Sequence, residues 1–212
     1  LLAAALGLLP AMGLGYLLAR KRFVGHGLLS ALVLVPMVLP PVVTGYLLLI
    51  AFGRTGPIGI FLEETIGLVL AFRWTGAALA AGIMAFPLMV RAIRLSIEAV
   101  DPKLEQAGAT LGASRSMVFC TVTLPMILPG VIAGAILAFA KAMGEFGATI
   151  TFVSNIPGQT QTLPSAVYAF LQVPGGEAAA TRLVLISIVI AMSALLLSEY
   201  VGRRAAARVA GS

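Results

Sequence analysis

The sequence predicts an all-α integral membrane protein, a polytopic bundle of five to six transmembrane helices. The chain of 212 residues is 60% hydrophobic and only 10% charged, and its mean hydropathy is +1.06. Five apolar runs come close to or exceed the roughly 20 residues that a helix needs to cross a bilayer core of about 30 Å. Shorter polar segments separate these runs, so residues 1–212 are expected to form a single transmembrane domain.

The five apolar runs give approximate spans that differ in regularity. They cover residues 1–19, 28–52, 74–95, 125–152 and 182–200. Pro36, Pro40 and Pro41 interrupt the second run, so we expect its first half to be kinked or irregular. Pro87 predicts a kink in the third run. The fourth run is rich in glycine and alanine, which suits close packing between helices.

The distribution of Lys and Arg predicts the orientation of the chain. With spans alternating in direction, one side of the membrane holds Arg20, Lys21, Arg22, Arg91, Arg94, Lys103, Arg115, Arg203, Arg204 and Arg208, and the other holds Arg54, Arg73 and Arg182. We therefore expect a multi-pass protein of the cytoplasmic (inner) membrane, with residues 96–124 and the C-terminus in the cytoplasm. Residues 53–73, with a short amphipathic segment, and residues 153–181, with a short helix at 163–171, are then external.

Residues 96–124, here named the polar loop, carry signals for two short helices. Asp101 is a favourable N-cap, Pro102 suits a first helical position, and Glu105 places a negative charge in an early turn. Gly112 is the expected helix stop, and Ser114 can cap a second helix. On composition alone, this segment could also be an ordinary cytoplasmic loop.

The spacing within the polar loop resembles a known signature. Gln106-Ala107-Gly108, three residues, Gly112, nine residues and Val122-Thr123-Leu124-Pro125 are similar to the EAA signature of the membrane subunits of binding-protein-dependent ABC importers. That signature reads Glu-Ala-Ala, three residues, Gly, nine residues, Ile-x-Leu-Pro. Gln106, Gly108 and Val122 depart from it. Glu105, one residue away, is the candidate to replace the missing glutamate in an ion pair.

This resemblance implies a fold and a set of partners. The fold is that of type I ABC importer permeases, in which this loop docks into a cytoplasmic ATPase subunit. The implied partners are two copies of that ATPase, a second copy of this chain, an external substrate-binding protein and the lipid bilayer. ATP and Mg²⁺ would belong to the ATPase, so this chain is expected to hold no cofactor. The residues expected to couple to the ATPase are Asp101, Lys103, Glu105, Gln106, Ala107, Gly108, Gly112, Arg115, Leu124 and Pro125.

Lys141 and Glu145 form the only charged pair well inside an apolar run. At positions i and i+4 of one predicted helix, they share a face and can neutralise each other. Charged groups within a membrane are costly, which makes them candidate functional residues. Either this pair locks the fourth helix against a neighbour, or its face lines a translocation pathway. The second interpretation gives Lys141, Glu145 and Thr149 as candidate pathway residues.

The residues around this pair narrow the resemblance. The segment Gly144-Glu145-Phe146-Gly147-Ala148 is similar to sulfate and molybdate permeases. Its continuation through Ser154-Asn155-Ile156-Pro157-Gly158 resembles the molybdate permeases, and the likeness extends over roughly residues 28–200. The chain is thus identified as a member of the molybdate/sulfate-type ABC importer permeases. This implies inward transport of molybdate and of its close chemical relative tungstate, with a sulfate or thiosulfate permease as the alternative.

Other classes of function lack the residues that they require. No Gly-x-x-x-x-Gly-Lys-Ser/Thr motif is present to bind ATP, and no His-Glu-x-x-His or cysteine pair is present, so no catalytic or metal site is expected. The basic residues, which give a net charge of +6, flank apolar runs rather than alternating with aromatic residues, so no nucleic-acid partner is expected. A secondary anion transporter or channel would require inverted repeats and several intramembrane carboxylates. An intramembrane enzyme would require a nucleophile beside a base.

Overall fold

The computed structural model describes the backbone of residues 2–210 and the side chains of residue 5 and residues 7–204. Within that part of the chain all regular structure is helical. The helices are α1 (Leu2–Arg20), α2 (His26–Val38), α3 (Pro41–Phe52), α4 (Pro57–Ile66), α5 (Trp74–Glu98), α6 (Pro102–Thr110), α7 (Arg115–Val118), α8 (Leu124–Met143), α9 (Gly147–Val153), α10 (Leu163–Leu171) and α11 (Glu177–Ala210). A π-helical turn over Phe119–Thr123 joins α7 to α8. Arg208 lies outside the residues whose side chains are described.

Helix α5 is the centre of the bundle. It packs against α1, α2, α8 and α9 and joins two hydrophobic cores. In the first core, Ile93 of α5 packs among side chains of α1 and α8, including Leu18 and Ile127. In the second, Met84 of α5 packs with residues of α3 and α9. Phe152 of α9 is fully buried there. The two halves of α5 therefore hold different sets of neighbours together.

Helix α11 lies at the edge of the bundle. In its most apolar window 11% of the residues are buried, against 44% in that of α5. It packs against α8 and α10 and turns most of its apolar side chains outwards. This pattern is expected of a helix that faces lipid or a second subunit rather than water.

Glycines allow the helices of this bundle to approach each other closely. A Cβ added at Gly134 of α8 would lie 2.6 Å from the Cβ of Ala92 in α5, and one at Gly45 of α3 would lie 2.6 Å from the carbonyl oxygen of Ala148 in α9. These separations are shorter than van der Waals contact, so no larger residue fits without a shift of the backbone. The glycine-rich fourth run has this packing role, as the sequence predicts.

Three helices in the described part of the chain are long and apolar enough to cross a membrane, namely Trp74–Glu98, Arg115–Met143 and Glu177–Arg204. Helices α2 and α3 would together form a fourth span, but they are bent by 109° relative to each other. The bend lies at Leu39 and Pro40, where α3 begins with a proline and the preceding residue is held extended. The sequence predicts an irregular second run for this reason, and α1 covers the predicted first span.

The structure differs from the sequence prediction in the last two spans. The sequence predicts one helix over 125–152, whereas α8 ends at Met143 and a separate short helix, α9, begins at Gly147. Helix α11 begins before the predicted residue 182 and continues beyond residue 200. The short helices expected within residues 53–73 and 153–181 are present as α4 and α10.

Candidate functional site

The polar loop folds into the two short helices that its capping residues predict. The Asp101 carboxylate accepts a hydrogen bond from the Lys103 backbone N–H at 2.9 Å and begins α6. The Ser114 hydroxyl accepts one from the Met117 backbone N–H at 3.3 Å and begins α7. Between them, Gly112 adopts a left-handed conformation with φ +84°, which glycine tolerates better than any other residue.

Small side chains bring the two helices of the polar loop close together. A Cβ at Gly108 of α6 would lie 3.1 Å from Cγ2 of Val118, which is buried at the end of α7. This contact explains a glycine where the related signature has alanine. The polar loop is therefore a compact hairpin of helices with its own internal contact.

The Glu105 carboxylate ties this hairpin to the membrane-spanning bundle. Its Oε1 atom accepts hydrogen bonds from Arg20 Nη2 at 3.1 Å and from Thr123 Oγ1 at 2.7 Å. The same Arg20 nitrogen donates to the carbonyl oxygen of Val100 at 3.1 Å. The side chains of Arg20 and Glu105 are only 16% and 22% exposed, so water screens their attraction weakly. Glu105 does form an ion pair, and its partner is in this chain.

Apolar side chains protrude from the polar loop, although Val100 and Val118 of the same segment are buried. Leu111 is 88% exposed, Met117 58% and Leu104 45%. These three exposed apolar side chains lie on a segment that is otherwise polar. Exposed apolar side chains are typical of a surface that another protein covers.

The remaining predicted coupling residues separate into surface and core positions. Exposed residues are Lys103, Gln106, Ala107, Arg115 and Pro125. Leu124 is partly buried and packs against the core formed by α1, α5 and α8. Leu124 therefore contacts the interior of the bundle, whereas the other five residues lie at the surface.

The predicted pair Lys141 and Glu145 is present, but not on one continuous helix face. Glu145 lies in the break after α8, where its Oε2 atom is 3.4 Å from Lys141 Nζ and its Oε1 atom accepts a hydrogen bond from the Ala148 backbone N–H at 3.0 Å. Glu145 is 2% exposed and the Lys141 side chain is 46% exposed. Thr149 is buried, and its hydroxyl donates to the Phe146 carbonyl oxygen at 2.9 Å. The carboxylate thus supports the start of α9, while the Lys141 side chain remains partly exposed.

The sequence does not predict a basic cavity at the N-terminal end of α5, which is the end away from the polar loop. An open cavity of about 920 Å³ lies between the α3–α4 connection, the start of α5 and residues 156–159. Arg54 and Arg73 line it, and none of its lining residues is acidic. Within the described residues neither guanidinium forms a salt bridge. The available signal was that these are two of the three cationic residues predicted for the external side.

The backbone beside this cavity is unusual in two places. Phe72 and Ser154 have φ values of 58° and 64°, which non-glycine residues seldom adopt outside functional or constrained sites. The buried hydroxyl of Thr160 holds the second segment, because it donates to the Ser154 carbonyl oxygen at 3.1 Å and accepts from the Ile156 backbone N–H at 2.9 Å. Thr160 therefore links both ends of the segment 154–156 that precedes this wall of the cavity.

Comparisons with known proteins bear on the whole chain. The family described as the binding-protein-dependent transport system inner membrane component matches residues 11–207. The molybdenum transport system permease protein ModB of Escherichia coli (strain K12) is 60% identical over 188 residues, which are 89% of this chain and 82% of that protein. The sulfate transport system permease protein CysT of the same organism is 34% identical, with 90% of this chain and 70% of that protein covered.

A solved structure shares the architecture. A chain of the MetNI methionine ABC transporter in an inward-facing conformation superposes with a TM-score of 0.65 and covers 94% of this chain and 89% of that one. At 16% identity, this similarity establishes the fold alone. The match over residues 11–207 shows that the chain belongs to the family of binding-protein-dependent transport system inner membrane components.

Proposed function

We propose that this chain carries molybdate, and with it tungstate, inward across the cytoplasmic membrane as the permease subunit of an ABC importer. The similarity to the Escherichia coli molybdenum permease over most of the chain is the observation that carries this proposal. The lower similarity to a sulfate permease makes sulfate the second candidate. Molybdate and sulfate are both tetrahedral dianions, so selection between them requires differences in size and hydrogen bonding rather than in charge.

The polar loop is the proposed contact with a cytoplasmic ATPase. Its apolar side chains, Leu104, Leu111 and Met117, are exposed and would be covered when the ATPase docks. The ion pair of Glu105 with Arg20 would then transmit a movement of the loop to α1. Since the loop is a compact unit, it can move as a rigid body.

The basic cavity at the opposite end of α5 is the proposed point at which the oxyanion enters. Arg54 and Arg73 line it without an acidic residue, so a dianion would find two guanidinium groups that can donate paired hydrogen bonds. The first N–H groups of α5 lie beside Arg73, and the helix dipole adds to the positive potential there. An external binding protein would release its ligand at this cavity.

The pair Lys141–Glu145 is the proposed next contact along the pathway. Lys141 is nearly half exposed, whereas Glu145 is buried and is already bonded to the start of α9. Its carboxylate compensates the ammonium charge at rest, so an arriving anion would be attracted without being held tightly. Two copies of the chain would enclose the pathway, and ATP-driven closure of two ATPase subunits would alternate its access between the two sides.

The substrate assignment predicts a selective response of ATP hydrolysis. The chain would be coexpressed with its ATPase, reconstituted in proteoliposomes and supplied with binding protein loaded with molybdate, tungstate or sulfate. We expect hydrolysis to rise with the molybdate- and tungstate-loaded protein and to stay at the basal rate with sulfate, because only a correctly loaded binding protein engages the transport cycle. Stimulation by sulfate alone would overturn the substrate. Absence of any ATPase in the purified complex would overturn the importer mechanism.

The docking assignment predicts that a charge in place of an exposed apolar side chain of the polar loop weakens assembly. Leu111→Asp should weaken binding of the ATPase by about tenfold or more, since loss of a buried leucine at an interface costs about 1.5–3 kcal/mol. The matched control is Val24→Asp, which alters a fully exposed residue between α1 and α2, on the same predicted side. Affinity would be measured by titrating the ATPase onto the membrane-embedded chain. Equal affinities of the two variants would place the ATPase elsewhere.

The entry assignment predicts that Arg54→Gln with Arg73→Gln impairs uptake. We expect the concentration of loaded binding protein for half-maximal uptake to rise about tenfold or more, because each charged hydrogen bond contributes about 1.5–3 kcal/mol. The uptake should also become less sensitive to salt. Arg182→Gln is the control, since it removes an exposed charge on the same predicted side outside the cavity. If Arg182→Gln impaired uptake as much, net charge and not the cavity would be responsible.

A further inference from the structure

A second basic cavity lies where α1 ends, at the boundary between apolar and polar sequence. Its volume is about 400 Å³. The cationic side chains that line it are Arg20, Lys21, Arg22 and Arg94, and Glu98 is its single acidic lining residue. The cavity has more positive than negative charge. Arg94 Nε forms a salt bridge with Glu98 Oε1 at 2.7 Å, whereas Lys21 and Arg22 form no salt bridge within the described residues.

The Arg20 side chain at this cavity is only partly neutralised by its contacts. Its Nη2 atom bonds to Glu105 and to the Val100 carbonyl oxygen, whereas its buried Nε atom has no hydrogen-bond partner among the described residues. A buried donor that remains unsatisfied is costly.

The basic cavity continues into an apolar groove between α1, α2 and α5. The groove has a volume of about 230 Å³ and shares the lining residues Leu18, Arg94 and Glu98 with the basic cavity. Its other walls include Val33 and Leu34 of α2, Pro87 and Val90 of α5. Arg94 stands at the junction, where its Nη1 atom donates to the Ser30 hydroxyl at 3.4 Å. The combined site is cationic at one end, and Val33, Leu34, Pro87 and Val90 give the groove a mainly apolar wall, which Arg91 also lines.

We propose that this site binds an anionic phospholipid, with its phosphate among Arg20, Lys21 and Arg22 and an acyl chain in the groove against Val33 and Val90. A soluble anion would use the basic end alone and leave the groove without a role. Basic pockets between transmembrane helices at the cytoplasmic surface are suited to acidic headgroups, and each cation near the surface contributes about as much as a fivefold change in affinity.

The site has a consequence for the polar loop because both use Arg20. A phosphate beside Arg20 would interact with the same guanidinium that bonds to Glu105. The position of the loop would then depend on the lipid composition of the membrane. This dependence is separate from the choice of transported substrate.

Lipid binding can be tested with the full-length chain in detergent, titrated with phosphatidylglycerol or phosphatidylcholine and followed by native mass spectrometry. We expect phosphatidylglycerol to bind at least about tenfold more tightly, since it carries the net negative charge that phosphatidylcholine lacks. Lys21→Gln with Arg22→Gln should weaken it about 25-fold, at about fivefold for each cation. The control, Arg203→Gln with Arg204→Gln, removes two exposed cations on the same predicted side and should leave the affinity unchanged.

A groove variant separates a lipid from a free phosphate. Val33→Trp fills the groove. It should weaken the binding of phosphatidylglycerol and leave the affinity for inorganic phosphate unchanged. The proposal is overturned if the double variant at Lys21 and Arg22 and the double variant at Arg203 and Arg204 weaken phosphatidylglycerol binding equally. Binding would then reflect a diffuse basic surface. It is also overturned if Val33→Trp has no effect and inorganic phosphate displaces the lipid, because the site would then recognise phosphate without an acyl chain.

Discussion

The ion pair between Arg20 and Glu105 links helix α6 of the polar loop to the membrane-spanning bundle. Helix α6 has no buried residue, so burial of its own side chains contributes little to holding it against the bundle. Its position depends on the polar contacts of Glu105 with the end of α1 and with Thr123 at the entry to α8. Because both partners are partly buried, loss of either one would leave the other with a poorly solvated charge. A single carboxylate therefore connects the loop with two of the helices that pack around α5.

The interior of the bundle has a different organising constraint, which is the close approach of backbones at small residues. Gly134 allows α8 to reach α5, and Gly45 allows α3 to reach α9. In lipid, burial of apolar surface drives helix association only weakly, so van der Waals contact at such positions has to contribute instead. The buried carboxylate of Glu145 is compatible with this interior because an ammonium group and a backbone N–H both bond to it.

Much of this architecture could be predicted from local sequence. The caps at Asp101 and Ser114, the left-handed Gly112 and the proline bend after α2 all follow from preferences of single residues. The break between α8 and α9 could not be predicted in the same way, since the alanine-rich sequence before Gly144 has no helix stop as strong as a proline. The Lys141–Glu145 pair was found because i and i+4 charges are close even where a helix ends.

Contacts between distant segments were beyond local reasoning. Arg20 and Glu105 are far apart in the sequence, and Arg20 appeared only as one of the charges that orient the chain. Arg54 and Arg73 likewise line a common cavity only because the fold places residues 156–159 beside them. In each case the type of residue was visible in the sequence, whereas its partner was set by the packing of helices around α5.

The most direct test of the link between loop and membrane helices is a double-mutant cycle on the ion pair. The number of oxyanions imported per ATP hydrolysed would be measured for Arg20→Gln, Glu105→Gln and the double variant in the reconstituted transporter. If the pair transmits movement, each single change should reduce this ratio, and the double variant should be no worse than either, because the contact is already lost in each single variant. Losses that combine independently, or an unchanged ratio, would contradict the account.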